Sequence, residues 1–204
     1  MVASLVKSSL LSRYCPGISF ERGKVPVAFM ASSVGPLPVL TREEVPEVAY
    51  LDPPHKSLPE FVNINARMAV CPEAKALIEE LEPGRHQFFA VTIERQRSRK
   101  PILTRSGEPL QTPYYLFRTG VCLDAVWVER SDVMVNQIAP GKTLVFSNPG
   151  NYGGTVLRRS AAAGHHIWKG DRHCPTDLFF SDALTKEVQK RNWKGLDFIH
   201  LREE

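Results

Sequence analysis

At 204 residues, the chain is long enough to bury a core without disulfide or metal staples, and it fits one sizeable domain or two small lobes. Its 43% hydrophobic and 24% charged residues are ordinary globular usage and exclude global disorder. A net charge of +4 falls well short of a dedicated nucleic-acid binder, yet it permits an acidic partner or substrate.

The four cysteines, Cys15, Cys71, Cys122 and Cys174, are spread along the chain without a C-x-x-C pair. A disulfide framework needs denser cysteines in a shorter chain, so reduced thiols and a cytoplasmic location are expected. No run approaches the ~20 apolar residues of a membrane helix. Met1 to Leu11 lacks both the clean apolar stretch and the small-residue cleavage site of a signal peptide.

Residues 1–55 read as a proline-rich N-terminal arm, and 56–204 as an α+β domain. Pro16, Pro26, Pro36, Pro38, Pro46, Pro53, Pro54 and Pro59 punctuate the early chain. Proline removes a ladder donor, so strand candidates such as Val25 to Met30 are expected only as edge strands or extended arms. The first twenty residues are the segment expected to be loosest. Asp52 to His55 reads as a turn.

The first helix is predicted over Pro72 to Leu81. Pro72 suits the first helical position, and Ala74, Leu77, Ile78 and Leu81 form one buried stripe. Pro83-Gly84 ends it, and Gln87 to Glu94 reads as a strand. Arg95 to Pro109 is basic and turn-rich, a loop. Tyr114 to Arg118 and Val121 to Glu129 read as strands, with Thr119-Gly120 as a hairpin turn between them. Thr143 to Phe146, Val156-Leu157 and His165 to Trp168 are further strand candidates. The last unit is the most complete. Leu178 to Phe180 is a strand, Ser181 an N-cap, Leu184 and Val188 an apolar helix face, Gly195 a stop, and Leu196 to Leu201 a returning strand. The whole predicts a mixed, mostly antiparallel sheet with a few short helices.

Candidate chemistry is sparse. Gly141-Lys142-Thr143 lacks the glycine of a phosphate loop five residues earlier, where Asn136 stands, and a strand rather than a helix follows it. The glycine-rich stretch Asn148 to Gly154 reads as a surface turn. His165, His166, His173 and Cys174 fall close together, with Asp171 and Asp177 nearby. These are zinc-ligand types, but no second cysteine lies near, and adjacent histidines on a strand point to opposite faces. A Cys174–His nucleophile pair needs an orienting group and an oxyanion hole, and the sequence displays neither. The carboxylate pairs Glu43-Glu44 and Glu79-Glu80 do not share a helix face. Glu129, Arg130 and Asp132 are explained by a surface ion network. The run Arg95 to Lys100 is the strongest charge block. It lacks the interleaved aromatics of a single-strand binder and reads as a solvated loop or a contact surface for an acidic partner. Trp127, Trp168 and Trp193 read as core anchors, and a partly exposed tryptophan also suits a protein interface.

Three blocks carry a resemblance. The first is Leu58-Pro59-Glu60-Phe61, followed by the helix ending Leu81-Glu82-Pro83-Gly84 and by His86-Gln87-Phe88-Phe89-Ala90-Val91. The second is Pro113-Tyr114-Tyr115-Leu116-Phe117, then Cys122-Leu123-Asp124-Ala125-Val126 and Glu129-Arg130-Ser131. The third is His166-Ile167-Trp168, Leu178-Phe179-Phe180-Ser181-Asp182 and Gly195-Leu196-Asp197-Phe198. From about residue 55 to 200 their order resembles the bacterial immunity proteins of polymorphic-toxin systems, specifically the family numbered eleven, formerly a domain of unknown function. The resemblance implies an intracellular, non-enzymatic α+β protein that binds and neutralises a cognate secreted toxin. It carries over no catalytic residue, cofactor or metal. Residues 1–50 have no counterpart in it. The net +4 suits an acidic toxin, or one blocked by shape.

No membrane partner is expected, nucleic acid is disfavoured, and a homodimer stays open. Contact with the toxin is expected in loops over the rigid sheet, through Arg97, Arg99, Tyr152, Arg158 and Trp168. The rival reading is a small zinc- or cysteine/histidine-dependent enzyme using residues 165–174.

Overall fold

A computed structural model of the chain describes residues 3–9, 14–21, 25, 38–53, 55–96, 98, 100–139 and 142–204. The strand candidate from Val25 to Met30 lies, apart from Val25, outside the described residues. In chain order the strands are β1 (Ser4–Ser8), β2 (Ile18–Phe20), β3 (Val48–Leu51), β4 (Ser57–Leu58), β5 (Phe61–Ile64), β6 (Arg67–Val70), β7 (Gln87–Glu94), β8 (Leu103–Thr104) and β9 (Tyr114–Arg118). They continue as β10 (Cys122–Leu123), β11 (Val133–Ala139), β12 (Lys142–Ser147), β13 (Val156–Leu157), β14 (Ile167–Gly170), β15 (Leu178–Phe180), β16 (Leu196–His200) and β17 (Arg202–Glu203). The described α-helices are α1 (Pro72–Leu81), α2 (Arg159–Ala162) and α3 (Asp182–Lys190).

Six strands form one sheet in the order β2-β3-β7-β9-β6-β5, and five form a second, β10-β14-β15-β1-β16. Pairs β4–β8, β11–β12 and β13–β17 stand as separate two-stranded ladders. Most neighbours are antiparallel, and β3–β7, β4–β8, β10–β14 and β13–β17 run parallel. This is the α+β architecture the sequence predicts. None of the described helices is long and apolar enough to cross a membrane.

The five-stranded sheet is buried on both faces, and strict alternation divides its side chains. Val6, Ile167 and Phe180 point into a large core shared with the six-stranded sheet and helices α1 and α3, with Leu178 and Phe198 packed beside them. Their chain neighbours Leu5, Trp168 and Phe179 point into a second core with Val126, Leu157, Cys174 and Leu201. The register keeps the sets apart, since Val6 lies opposite Leu178 and Phe198, and Leu5 opposite Phe179 and Ile199. A one-residue slip of β1 would exchange its core contacts wholesale. Phe61 joins the two sheets, with its ring 6.5 Å from Phe180 and 6.1 Å from Trp193.

Residues 4–8 are not loose. β1 sits between β15 and β16 with ladder bonds on both sides, because Leu5 and Val6 give it an apolar residue for each core. Proline sets the edge elsewhere: β2, two residues after Pro16, is the outer strand of its sheet. The Asp52 turn is present, with the His55 N–H donating to Asp52 O at 3.3 Å.

The predicted hairpin across Thr119-Gly120 does not form. Both edges of β9 are occupied, by β7 and by β6, so no edge is left for the next segment. The chain crosses instead to the second sheet, where β10 pairs with β14 in parallel. Of Val121 to Glu129 only Cys122–Leu123 is strand, and Val128–Arg130 is a 3-10 turn. The Thr143 strand runs Lys142–Ser147, and its partner β11, unpredicted, pairs with it from Val133↔Ser147 onward. Within the predicted loop from Arg95 to Pro109, Leu103–Thr104 forms a short parallel ladder with Ser57–Leu58.

Helix α3 begins as read. Ser181 Oγ accepts the Leu184 N–H at 3.2 Å and is hydrogen-bonded to His166 Nδ1 at 2.9 Å. Ser181→Ala is expected to lower stability by about 1 kcal/mol, the usual loss of an N-cap, measurable by urea unfolding.

Candidate functional site

Of the residues proposed for partner contact, Tyr152, Arg158 and Trp168 are among the described ones. Arg97 and Arg99 lie outside the described residues. Tyr152 sits in a 3-10 turn with Lys7 Nζ 4.4 Å over its ring. Arg158 is half-exposed, 6.0 Å over the Trp127 ring and 3.8 Å from Glu129. Trp168 is 1% exposed and stacks on Phe179 at 5.8 Å, so it serves the second core and offers no surface.

The segment 165–174 is not assembled as a centre. His165 Nδ1 accepts from Arg85 Nη1 at 3.3 Å, His166 Nδ1 is hydrogen-bonded to Ser181 Oγ, and His173 pairs with Asp124. Cys174 is buried in the second core, where its thiol accepts from Ser147 Oγ at 3.4 Å. Among the described residues no three His, Cys, Asp or Glu side chains are grouped to hold a metal ion. Burial pushes the Cys174 thiol up to about 11 and the Cys71 thiol up to about 12, away from the thiolate a nucleophile needs. With a chromogenic disulfide reagent at pH 8, exposed Cys15 is expected to react first and half-buried Cys122 more slowly. Cys71 and Cys174 should titrate only after denaturant is added. Fast labelling of Cys174 in the folded protein would contradict its placement.

Two polar features tie the sheets together, and the first is a correction: the helix pattern places Glu82 facing water with Glu79 and Glu80, but it lies past the last helical residue and is buried. Glu82 is 2% exposed, at the C-terminal end of α1. The Gly120 N–H donates to His86 Nδ1 at 3.3 Å, so His86 carries its proton on Nε2 and donates it to Glu82 Oε2 at 2.7 Å. The same oxygen accepts the Ile167 N–H at 3.1 Å. Burial pushes the Glu82 carboxyl up, but His86 and the amides of His166 and Ile167 more than offset this and hold it below the ordinary carboxylate value.

The second is a cleft of about 160 Å³ between the two large sheets. Arg67 from β6, Arg118 from β9 and Lys169 from β14 line it, with Phe89, Leu178 and Asp177 in its walls. Lys169 points there by alternation, on the Ile167 side of its strand and opposite Leu178. Burial holds the Arg118 guanidinium below its ordinary value and Arg67 pushes in the same direction. Lys169 is lowered by burial too, with Arg67 and Arg118 adding to the effect. Asp177 is occupied by Lys7 at 2.7 Å. The signal for this cleft is slight: a cation ending the apolar β9 and another at an inward position of β14.

Residues 22–203 match the model of a family described as Immunity protein family (Imm11). The match starts upstream of the three sequence blocks and takes in β3 and most of the proline-rich segment. No curated protein matches the chain.

Proposed function

Because the chain belongs to the Imm11 immunity protein family, we propose that it binds a cognate secreted bacterial toxin inside the cell and neutralises it by covering its working surface. The family membership carries this reading. The arrangement of the protein supports a binding role, since two sheets packed on shared cores make a rigid platform for exposed loops. Cys174 and its neighbouring histidines, each held by separate partners, give the enzyme reading no geometric support. A block of this kind takes a standard interface, on the order of 1,600 Å² in total, so several surface elements must act together. Tyr152 and Arg158 are proposed among them, with Arg97 and Arg99 on grounds of charge.

The test uses the product of the adjoining reading frame. Expressed alone it is expected to arrest growth. Coexpressed with this chain it should be tolerated and copurify as a stable complex. Growth arrest unrelieved by coexpression, with no complex on gel filtration, would refute the proposal.

A further inference from the structure

We propose that this chain pairs with a second copy of itself along the outer edge of β11, antiparallel and about a two-fold axis, so that two ribbons join into one four-stranded sheet. Such a dimer is independent of the immunity reading.

Among the described residues, β11 and β12 form a ladder without a third strand. One side of that ribbon is tied down. β12 bridges to His173 through Val145, and the Cys174 N–H donates to Val145 O at 2.7 Å. The other side meets water: Met134 is 39% exposed and Val135 59%, and Asn136 and Gln137 are exposed beside them. The rim of an outer strand presents unpaired N–H and C=O groups, and proteins ordinarily blunt it with short length, charge or proline. The outer strands of the two large sheets follow this rule. β2 and β10 are short, β16 carries Asp197, and the Phe61 N–H of β5 is taken by Lys194 O. Val133 to Gln137 contains no charge, no proline and no glycine, and its register against β12 stays regular as far as Gln137. A two-stranded ribbon is marginal in water, and further strands are what stabilise it.

Charge selects the occupant. Two chains of net +4 repel one another, so a self-contact has to fall where neither carries charge, and this edge meets that condition. The same net charge favours an acidic partner, which an uncharged rim does nothing to attract. An antiparallel edge is also its own complement, because under a two-fold axis each copy supplies the same donors and acceptors. Val135 then lies opposite or diagonal to its counterpart on the same face. On the other face Met134 and Asn136 line a hollow with Phe146 and Tyr152, and the second copy brings the same methionine and asparagine beside it. Methionine and tyrosine are favoured in such contacts. With β12 tied at Val145, the ribbon has one rim to give, so assembly closes at two copies and does not grow into a fibre. One paired strand offers fewer residues than the roughly 20–30 a side of a standard interface, so the dimer should come apart on dilution.

The experiment is analytical ultracentrifugation of the full chain over a range of concentrations. Wild type is expected to sediment as a dimer that dissociates on dilution. Val135→Lys and Val135→Glu each set like charges against one another across the two-fold axis. Each variant alone is expected to sediment as a monomer, with the wild-type circular dichroism because the side chain is exposed. Mixed in equal amounts, the two variants should form a dimer again, a recovery that misfolded chains would not give. Wild type that stays monomeric at millimolar concentration overturns the proposal. A dimer that persists in both variants, or a mixture of folded variants that stays monomeric, overturns it as well. If the edge receives the toxin instead, wild type is a monomer alone and Val135→Lys fails to bind the adjoining reading frame's product. That outcome overturns self-pairing and leaves the immunity reading intact.

Discussion

Glu82→Ala is expected to lower the stability of the fold by about 4 kcal/mol and the melting temperature by roughly 10 °C. Three elements lose a partner at once. The carboxylate holds β14 through the Ile167 amide and fixes His86, which in turn holds the crossover at Gly120. Alanine leaves the fully buried His86 ring and a buried amide without an acceptor. Glu82→Gln keeps the shape and loses the charge, so it should fall between the two. The pH dependence has a definite sign. The folded carboxyl is held below its ordinary value of 4.5, so folding favours the ionised form. Its contribution is complete above the unfolded value and fades as pH drops through the folded one. Wild-type melting temperature should therefore decline more steeply than that of Glu82→Gln below about pH 4.5. Parallel curves would show that Glu82 is not the group responsible.

Gly195→Ala is the second large effect, expected at about 3 kcal/mol or more. Its φ is +104°, and an added Cβ would lie 1.8 Å from Phe61 O. The crowding follows from the pairing there. The Phe61 N–H donates to Lys194 O at 3.0 Å and the Ser9 N–H to Gly195 O at 3.0 Å, drawing β5, β1 and the start of β16 onto one point. Gly84 is the control. It also has a positive φ, +68°, but nothing lies within 4 Å of its would-be Cβ. Gly84→Ala should cost only about 1 kcal/mol. Equal losses in the two variants, measured by chemical denaturation, would mean that conformation alone and not the contact with Phe61 sets the requirement for glycine.

Local signals were read well where they were self-contained. Pro72–Leu81 carries its own start, stripe and stop, and Ser181 to Gly195 likewise, and both helices form as predicted. Gln87–Glu94 alternates buried and exposed along most of its length, which is legible without any partner. Pairing was harder. Tyr114 to Arg118 looks like half of a hairpin until β6 and β7 are seen to occupy both its edges, a fact of long-range contact. β11 hid because Met134 to Gln137 are exposed and the segment shows no apolar period. The cleft was less legible still. Arg67, Arg118 and Lys169 are far apart in sequence and each looks like an ordinary surface cation. Only packing of one sheet against the other turns them toward a common space. Trp168 misled in the opposite direction, since a residue type favoured at interfaces is equally favoured in cores.

The place of β1 has a consequence for timing. A strand made from residues 4–8 completes its sheet only with residues 178–200. At elongation speeds of about 5–20 residues per second, the ribosome needs roughly ten to forty seconds to deliver those partners. Throughout that interval Leu5 and Val6 are uncovered, and the sheet is the slowest part of the domain to close because its loop is so long. Under the proposed immunity role, the sheet that holds β1 can therefore serve binding only once residues 178–200 have been made.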